Sequence, residues 1–224
     1  MKCPRRCVLI HSASGGVGSM LAQLCRIAGI ECVVGIVGGK HKIEIAKEMG
    51  CTVVIDRKSG DLVDGNIWGE IKERVADFDG FDIIFDANGV ATLQKSYDHL
   101  KPTGRLVPYG FHTMLPSSGK ISPFKWLKIG LSALRTPSFS PMKMVTENKA
   151  VMGFNLSFLF SRRDILSIGV ANMLPWIENK RLKVSKVTEY KMENIGDAHR
   201  DIQTGKTVGK LVMLTPHHAE YHQL

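Results

Sequence analysis

The sequence predicts a doubly wound parallel α/β sheet of the Rossmann type. Short β-branched runs alternate with amphipathic helical patterns through the first half of the chain. A glycine-rich loop stands directly between the first run and the first helix. Alternation of this kind implies βαβ crossovers, hence a parallel sheet covered on both faces. The 224 residues suffice for one large domain or one and a half ordinary ones. A hydrophobic fraction of 44% and a charged fraction of 23% are those of a globular protein with a real core.

Taken in order, CVLIH (7–11) reads as a strand of five residues, and 17–28 as a helix with apolar residues at three- and four-residue spacing. CVVGIV (32–37) is the second strand, and KHKIEIAKEMG (40–50) a helix closed by Gly50. CTVVID (51–56) is the third strand, followed by a weaker helix over 62–76. FDIIFDAN (81–88) is the fourth strand, 90–100 a helix, and GRLVPYG (104–110) the fifth strand. From about Phe111 to Ala150 prolines interrupt the pattern. VMGFNL (151–156) then reads as a further strand and 163–179 as a long helix. The end changes layout to a strand, a short helix, and a strand after the TGKTVG turn. The expected organisation is a Rossmann domain over 1–180, a C-terminal α+β segment over 181–216, and a disordered polar tail over 217–224.

The sequence excludes several classes. No apolar run is long enough to span a bilayer. The basic start resembles a secretory leader only superficially, because its apolar part runs straight into the glycine loop. Five cysteines include the pair in CPRRC, but no second pair or nearby histidine completes a tetrahedral zinc site. No metal is expected, and the odd thiol count suggests a reducing, cytoplasmic setting. Thirty Lys and Arg against 21 Asp and Glu give a net charge of +9. This is either a solubilising basic surface or the mark of an anionic partner. With no zinc finger, aromatic-studded basic ribbon or long basic block, nucleic acid is not expected.

The stretch SASGGVG (12–18) carries the chemistry. Ala13 takes the first place of the G-x-G-x-x-G pattern, Gly15 the second and Gly18 the third. A strand before the loop and a helix after it are the context that a dinucleotide site requires. Gly15 lets the backbone approach a pyrophosphate, Gly18 lets the helix pack close, and amides near Gly16 and Val17 point at the anion. The bland alternative is a tight βα turn with no ligand. In the NAD form of this site, a carboxylate about twenty residues on accepts hydrogen bonds from the ribose 2′-hydroxyl. Here Gly38 and Gly39 stand at that place, Lys40 and Lys42 follow, and Arg57 comes just after the third strand. Lys40 fits an ordinary solvated residue. Lys42 and Arg57 together suit a 2′-phosphate and therefore NADPH.

SASGGVG with AQLCR, KHKIEIAKEMGCTVVID, FDIIFDANG, LKPTGRLVPYG, ENKAVMGFNL and GKTVGKLVMLTP together resemble the quinone oxidoreductase branch of the medium-chain dehydrogenase/reductase superfamily. The vesicle amine transport protein subgroup is the nearest likeness. The resemblance implies zinc-independent hydride transfer from NADPH to a quinone or conjugated carbonyl. It places Ser14, Gly15, Gly16, Val17 and Gly18 on the pyrophosphate loop and Lys42 as the phosphate-binding lysine. Gly38 stands for a usual Ser or Thr, and Arg57 for a usual Tyr beside the adenosine phosphate. Asn88 and Gly89 fall on the cleft edge, and Tyr109, Gly110, Phe154 and Leu156 near the nicotinamide. Family members open with a GroES-like catalytic domain, whereas this chain opens at the first Rossmann strand. The 181–216 segment is then the return to that domain, and this chain alone is not expected to turn over. No catalytic residue is assigned. The resemblance also implies a homodimer through the Val151–Leu156 strand.

Other residues tempt. His11 ends the first strand and either faces the cofactor or is a satisfied structural histidine. Asp82 and Asp86 share a strand face, and of the two only Asp86 is expected near the cleft. KISPFKWLKIGLSALR (120–135) alternates apolar and basic residues. It reads either as a packed amphipathic helix or as a membrane-surface helix giving peripheral membrane contact. A non-catalytic dinucleotide-binding or membrane-trafficking module that keeps the fold is the alternative function.

Overall fold

The computed structural model describes residues 6–60, 62, 66–111 and 136–216. The elements are β1 (Cys7–His11), α1 (Gly16–Ile27), β2 (Cys32–Val37), a single 3-10 turn, α2 (Ile43–Glu48), β3 (Val53–Asp56), α3 (Ile67–Arg74) and β4 (Phe81–Asp86). There follow α4 (Leu93–Asp98), β5 (Leu100–Pro108), α5 (Pro141–Glu147), β6 (Ala150–Val151), α6 (Arg163–Glu178), β7 (Val187–Lys191), α7 (Ile195–Thr204) and β8 (Lys210–Leu214). Six strands form one sheet in the order β3-β2-β1-β4-β5-β6. Every pair in it is parallel. The fold is the α/β Rossmann type that the sequence predicts.

The two-residue period of the strands sorts the core onto two faces. Leu9, Val34, Ile36, Ile84 and Leu106 pack with Ile71 of α3 and Tyr97 of α4. Val8, Ile10, Val33 and Val54 pack with Ala22 and Cys25 of α1 and Ala46 of α2 on the opposite face. Both faces of β1 are therefore covered, and its five residues are all buried. Burying each of Leu9, Ile10, Ile84 and Leu106 stabilises the sheet by roughly 1.5–3 kcal/mol. Such continuous apolar strands are what a parallel sheet between two helical layers demands.

Element boundaries differ from the sequence reading where side chains intervene. The helix expected from 62 begins at Ile67, because Asn66 caps it with Oδ1 accepting from the Gly69 amide at 3.1 Å. The strand expected over 151–156 is corrected to Ala150–Val151. Beyond it the Met152 and Phe154 amides still donate to the carbonyls of Leu106 (2.9 Å) and Pro108 (3.0 Å). Asn155 then turns the chain, accepting from the Ser157 amide at 3.0 Å and opening a 3-10 turn over Leu156–Phe158. The expected helix 120–135 and tail 217–224 lie outside the described residues.

Strand order reverses between β1 and β4. To one side the chain winds through β2 and β3, to the other through β5 and β6. A crevice at the carboxyl ends of β1 and β4 is the position where open α/β sheets bind ligands. The C-terminal residues form a separate βαβ unit in which β7 and β8 pair in parallel with α7 between them.

Candidate functional site

The glycine loop fills the mouth of that crevice. Ser12 follows β1 with φ 56°, and the Ala13 amide donates to the Ile36 carbonyl at 3.0 Å, holding the turn against β2. The Gly15 amide donates to the Ser12 carbonyl, and α1 starts at once with no side chain capping it. The first turn of a helix leaves its amides without intrahelical acceptors, and the helix dipole adds a partial positive charge there. Gly18 has a clear structural reason. A β-carbon on it would stand 2.4 Å from the Ser12 carbonyl oxygen and 2.8 Å from Ala13 Cα. Only glycine lets α1 approach the loop so closely.

Beside the loop lies a group of cations. Arg57 follows β3, its amide bonded to the Val37 carbonyl at 3.0 Å. Its guanidinium crosses the end of β2, with Nε 3.6 Å from where a β-carbon on Gly38 would stand. Lys42 is only 6% exposed, and its Nζ donates to the Gly205 carbonyl at 2.6 Å. Burial, then the neighbouring charges of Arg57 and Lys58, hold its ammonium below the ordinary lysine pKa. These cations gather where an NAD site presents a carboxylate. The nearby Asp56 carboxylate is turned to its own loop, accepting from the Lys58 amide at 2.9 Å.

The end of β4 forms the other wall. Asp86 is fully buried, and its Oδ1 accepts from the amides of Asn88 (2.8 Å) and Gly89 (3.1 Å). Oδ2 accepts from the hydroxyls of Thr92 (2.7 Å) and Ser96 (3.1 Å). Because the Ser96 proton goes to Asp86, Ser96 Oγ is left to accept from His11 Nε2 at 3.0 Å. Nε2 therefore carries the imidazole proton. Burial lowers the pKa of His11 and Arg57 lowers it further, against the opposing pull of Asp86. His11 is neutral and structural, although its Nδ1 has no hydrogen-bond partner. Asp82 serves the opposite end of the sheet, bonded to the Cys7 amide and paired with Lys101. The two walls meet where Ser12 Oγ donates to Asn88 Oδ1 at 3.3 Å.

Tyr109 and Gly110 continue from β5 along this wall. The Tyr109 amide donates to the Asp86 carbonyl at 2.9 Å, and burial pushes its hydroxyl up to about 12. Gly110 packs on residue 87, a β-carbon there standing 3.0 Å from the Ala87 carbonyl oxygen. Phe154 and Leu156 are set apart from the rest. They lie beyond β6 with 48% and 50% of their surface exposed.

The sequence reading missed the C-terminal unit's part in the site. The Gly209 amide donates to the Ser14 carbonyl at 3.2 Å, forming a bridge with Gly15 of the loop. Gln23 of α1 exchanges two bonds with the backbone of Lys183, donating at 3.0 Å and accepting at 2.9 Å. His41 Nε2 lies 3.1 Å from the Lys206 carbonyl. The only local signal was the glycine-rich, basic character of TGKTVGK (204–210).

A parallel sheet with a glycine loop, an uncapped helix and adjoining cations at its switch point defines a dinucleotide-binding α/β domain. The zinc-binding dehydrogenase family model matches residues 16–157, well over half of the chain, and the chain belongs to that family. Beyond the family, the chain is similar to VAT-1 proteins and to quinone oxidoreductases. The human synaptic vesicle membrane protein VAT-1 homolog is 31% identical over 215 residues, covering 94% of this chain and 51% of the relative. The zebrafish (Danio rerio) homolog is 28% identical over 212 residues, covering 95% of this chain and 41% of the relative. The chain thus spans about half the length of the relatives it matches. Among solved structures, Escherichia coli quinone oxidoreductase complexed with NADPH superposes with a TM-score of 0.68 at 22% identity, covering 94% of this chain and 57% of that one. The human VAT-1 homolog-like protein superposes at 0.66 with 26% identity, covering 93% and 53%. Among the described residues no three His, Cys, Asp or Glu side chains converge as a metal site would require.

Proposed function

We propose that this chain is the NADP(H)-binding part of an oxidoreductase that passes hydride from NADPH to a quinone or conjugated carbonyl. The observation that carries the cofactor reading is the guanidinium of Arg57 lying across Gly38, beside Lys42. Charge of this sign at this place complements a 2′-phosphate and leaves a bare ribose hydroxyl without its carboxylate. Ser14, Gly15, Gly16, Val17 and Gly18 would hold the pyrophosphate, and Asn88 and Gly89 would line the adenosine side. Tyr109 and Gly110, with the exposed Phe154 and Leu156, would border the nicotinamide and the acceptor. When bound, the reduced nicotinamide supplies hydride; the chain's own residues position and bind. The complex of Escherichia coli quinone oxidoreductase with NADPH supports the reading.

The reading extends to organisation. Residues 1–180 form the Rossmann domain, and 181–216 are the return segment to a catalytic domain. β6 is an edge of the sheet, and Met152, Phe154 and Phe158 stand exposed beside it, which supports a homodimer through this edge. None of the four described cysteines is in a disulfide, in keeping with a cytoplasmic setting. No helix among the described residues is long and apolar enough to cross a membrane. A second reading, a dinucleotide-binding module of vesicle membranes without turnover, is favoured by the names of the VAT-1 relatives. Adding NADPH and following nicotinamide fluorescence tests the shared part of both readings. A saturating signal is expected, and none at millimolar cofactor would overturn them. Quinone-dependent loss of nicotinamide absorbance then favours the oxidoreductase, and saturable binding without it the second reading.

A further inference from the structure

Lys42 has a partner that phosphate recognition does not explain. Its Nζ donates to the Gly205 carbonyl at 2.6 Å, and Gly205 is the C-cap that closes α7 with φ 64°. The last carbonyls of a helix lack intrahelical donors and carry the negative end of its dipole. α7 therefore presents partial negative charge to an ammonium that Arg57 and Lys58 crowd with positive charge. The end of this helix stands in for an anion. With Lys42 only 6% exposed, a phosphate oxygen reaches its ammonium where the covering turn gives way.

That turn is lightly held. Thr204, Gly205 and Lys206 are exposed, and a β-carbon on Gly205 would meet nothing within 4 Å. Among the described residues, two hydrogen bonds join the turn to the Rossmann sheet side: Lys42 to the Gly205 carbonyl, and His41 Nε2 to the Lys206 carbonyl at 3.1 Å. The rest of the C-terminal unit is anchored independently. Val208 is buried, the Gly209 amide bonds to the Ser14 carbonyl, and Gln23 holds the backbone of Lys183. Release of Lys42 thus frees three residues without undocking the unit. Segments with few buried contacts are the ones that open locally at low cost.

We propose that the turn 204–206 is a phosphate-released latch, which holds Lys42 until the 2′-phosphate of NADPH takes the ammonium from it. The latch rests on the NADP(H) reading above and goes beyond it, because it ties the choice of cofactor to the conformation of the C-terminal unit. A phosphate oxygen carries far more charge than a helix carbonyl and competes well for the same donor. NADH offers Lys42 no such group and leaves the latch shut. Coupling between two binding events is reciprocal, so weakening the latch strengthens NADPH.

Amide hydrogen exchange, followed by mass spectrometry on peptides spanning the turn, tests this in the unaltered chain. The ligands are NADPH, NADH, adenosine 2′,5′-bisphosphate and 5′-AMP, each at saturation fixed by calorimetry. NADPH and the bisphosphate should speed exchange at the turn by about threefold or more, the loss of one ordinary hydrogen bond. NADH and 5′-AMP should leave it unchanged. His41→Ala removes the second clasp, and it should tighten NADPH by about threefold while leaving NADH as it was. In Lys42→Met the turn should exchange fast before any cofactor is added, and NADPH should add nothing. Should Lys42→Met fail to fold in a thermal melt, His41→Ala carries the test. Slower exchange with NADPH, no change at saturation, an equal change with both cofactors, or His41→Ala binding NADPH no more tightly would overturn the latch and leave the cofactor reading intact. Failure of the unaltered chain to bind either cofactor would remove both.

Discussion

Asp86 holds Asn88 in place: its Oδ1 accepts the Asn88 amide at 2.8 Å, and Asn88 Oδ1 in turn accepts from Ser12 at 3.3 Å. One buried carboxylate thereby links the turn after β4 to the loop after β1, the two walls of the crevice. Its charge needs no basic partner, because amide and hydroxyl donors surround both oxygens.

Asp86→Asn puts an NH2 group where every neighbour is a donor. The expected cost is about 1.5–3 kcal/mol of stability, the worth of a hydrogen bond to a charged group. Because Asn88 loses its anchor, NADPH and NADH should weaken together. Urea unfolding and cofactor titration of the variant check both effects. Wild-type stability would show that the carboxylate is not the hub.

Gly18→Ala tests the approach of α1 to the loop. The new methyl group would meet the Ser12 carbonyl oxygen at 2.4 Å, and that contact is with backbone. Overpacking of this kind costs about 1–3 kcal/mol. A urea midpoint equal to that of the unaltered chain would contradict the geometry.

His11 predicts a particular response to acid. Its folded-state pKa lies below the ordinary 6.5, through burial and the nearby Arg57 charge, with Asp86 opposing. The unfolded chain therefore binds this proton more readily than the folded one. The histidine contributes no pH dependence well above 6.5, and stability falls as pH drops through 6.5 toward the folded-state value. The loss is at most about 1.4 kcal/mol per pH unit for one proton. His11→Gln keeps a donor toward Ser96 and removes the titration. Its unfolding free energy should fall less steeply with acid than that of the unaltered chain, and equal slopes would contradict the account.

The sequence made the sheet legible because each strand of it repeats a local signal. Buried runs such as CVLIH and CVVGIV, each closed by small or polar residues, have few other solutions than a parallel strand. The glycine loop was legible for the same reason, since strand, turn and helix are contiguous. β6 was overextended because apolar content in VMGFNL cannot reveal that Asn155 turns the chain. Asp86 was visible only as one of two strand carboxylates, and its donors on the following turn and helix had no pattern of their own. The C-terminal unit was least legible. Lys42 meets Gly205 across 163 residues, and no local periodicity encodes a contact of that kind.

Recognition of a 2′-phosphate by the cations beyond β2 and β3, as proposed, is decided by paired calorimetric titrations with NADPH and NADH. The unaltered chain should bind NADPH more tightly. Replacing Arg57 by Ala should cost NADPH roughly 1.5–3 kcal/mol and leave NADH nearly unchanged. Equal affinity for the two cofactors, or equal losses on removing Arg57, would contradict it.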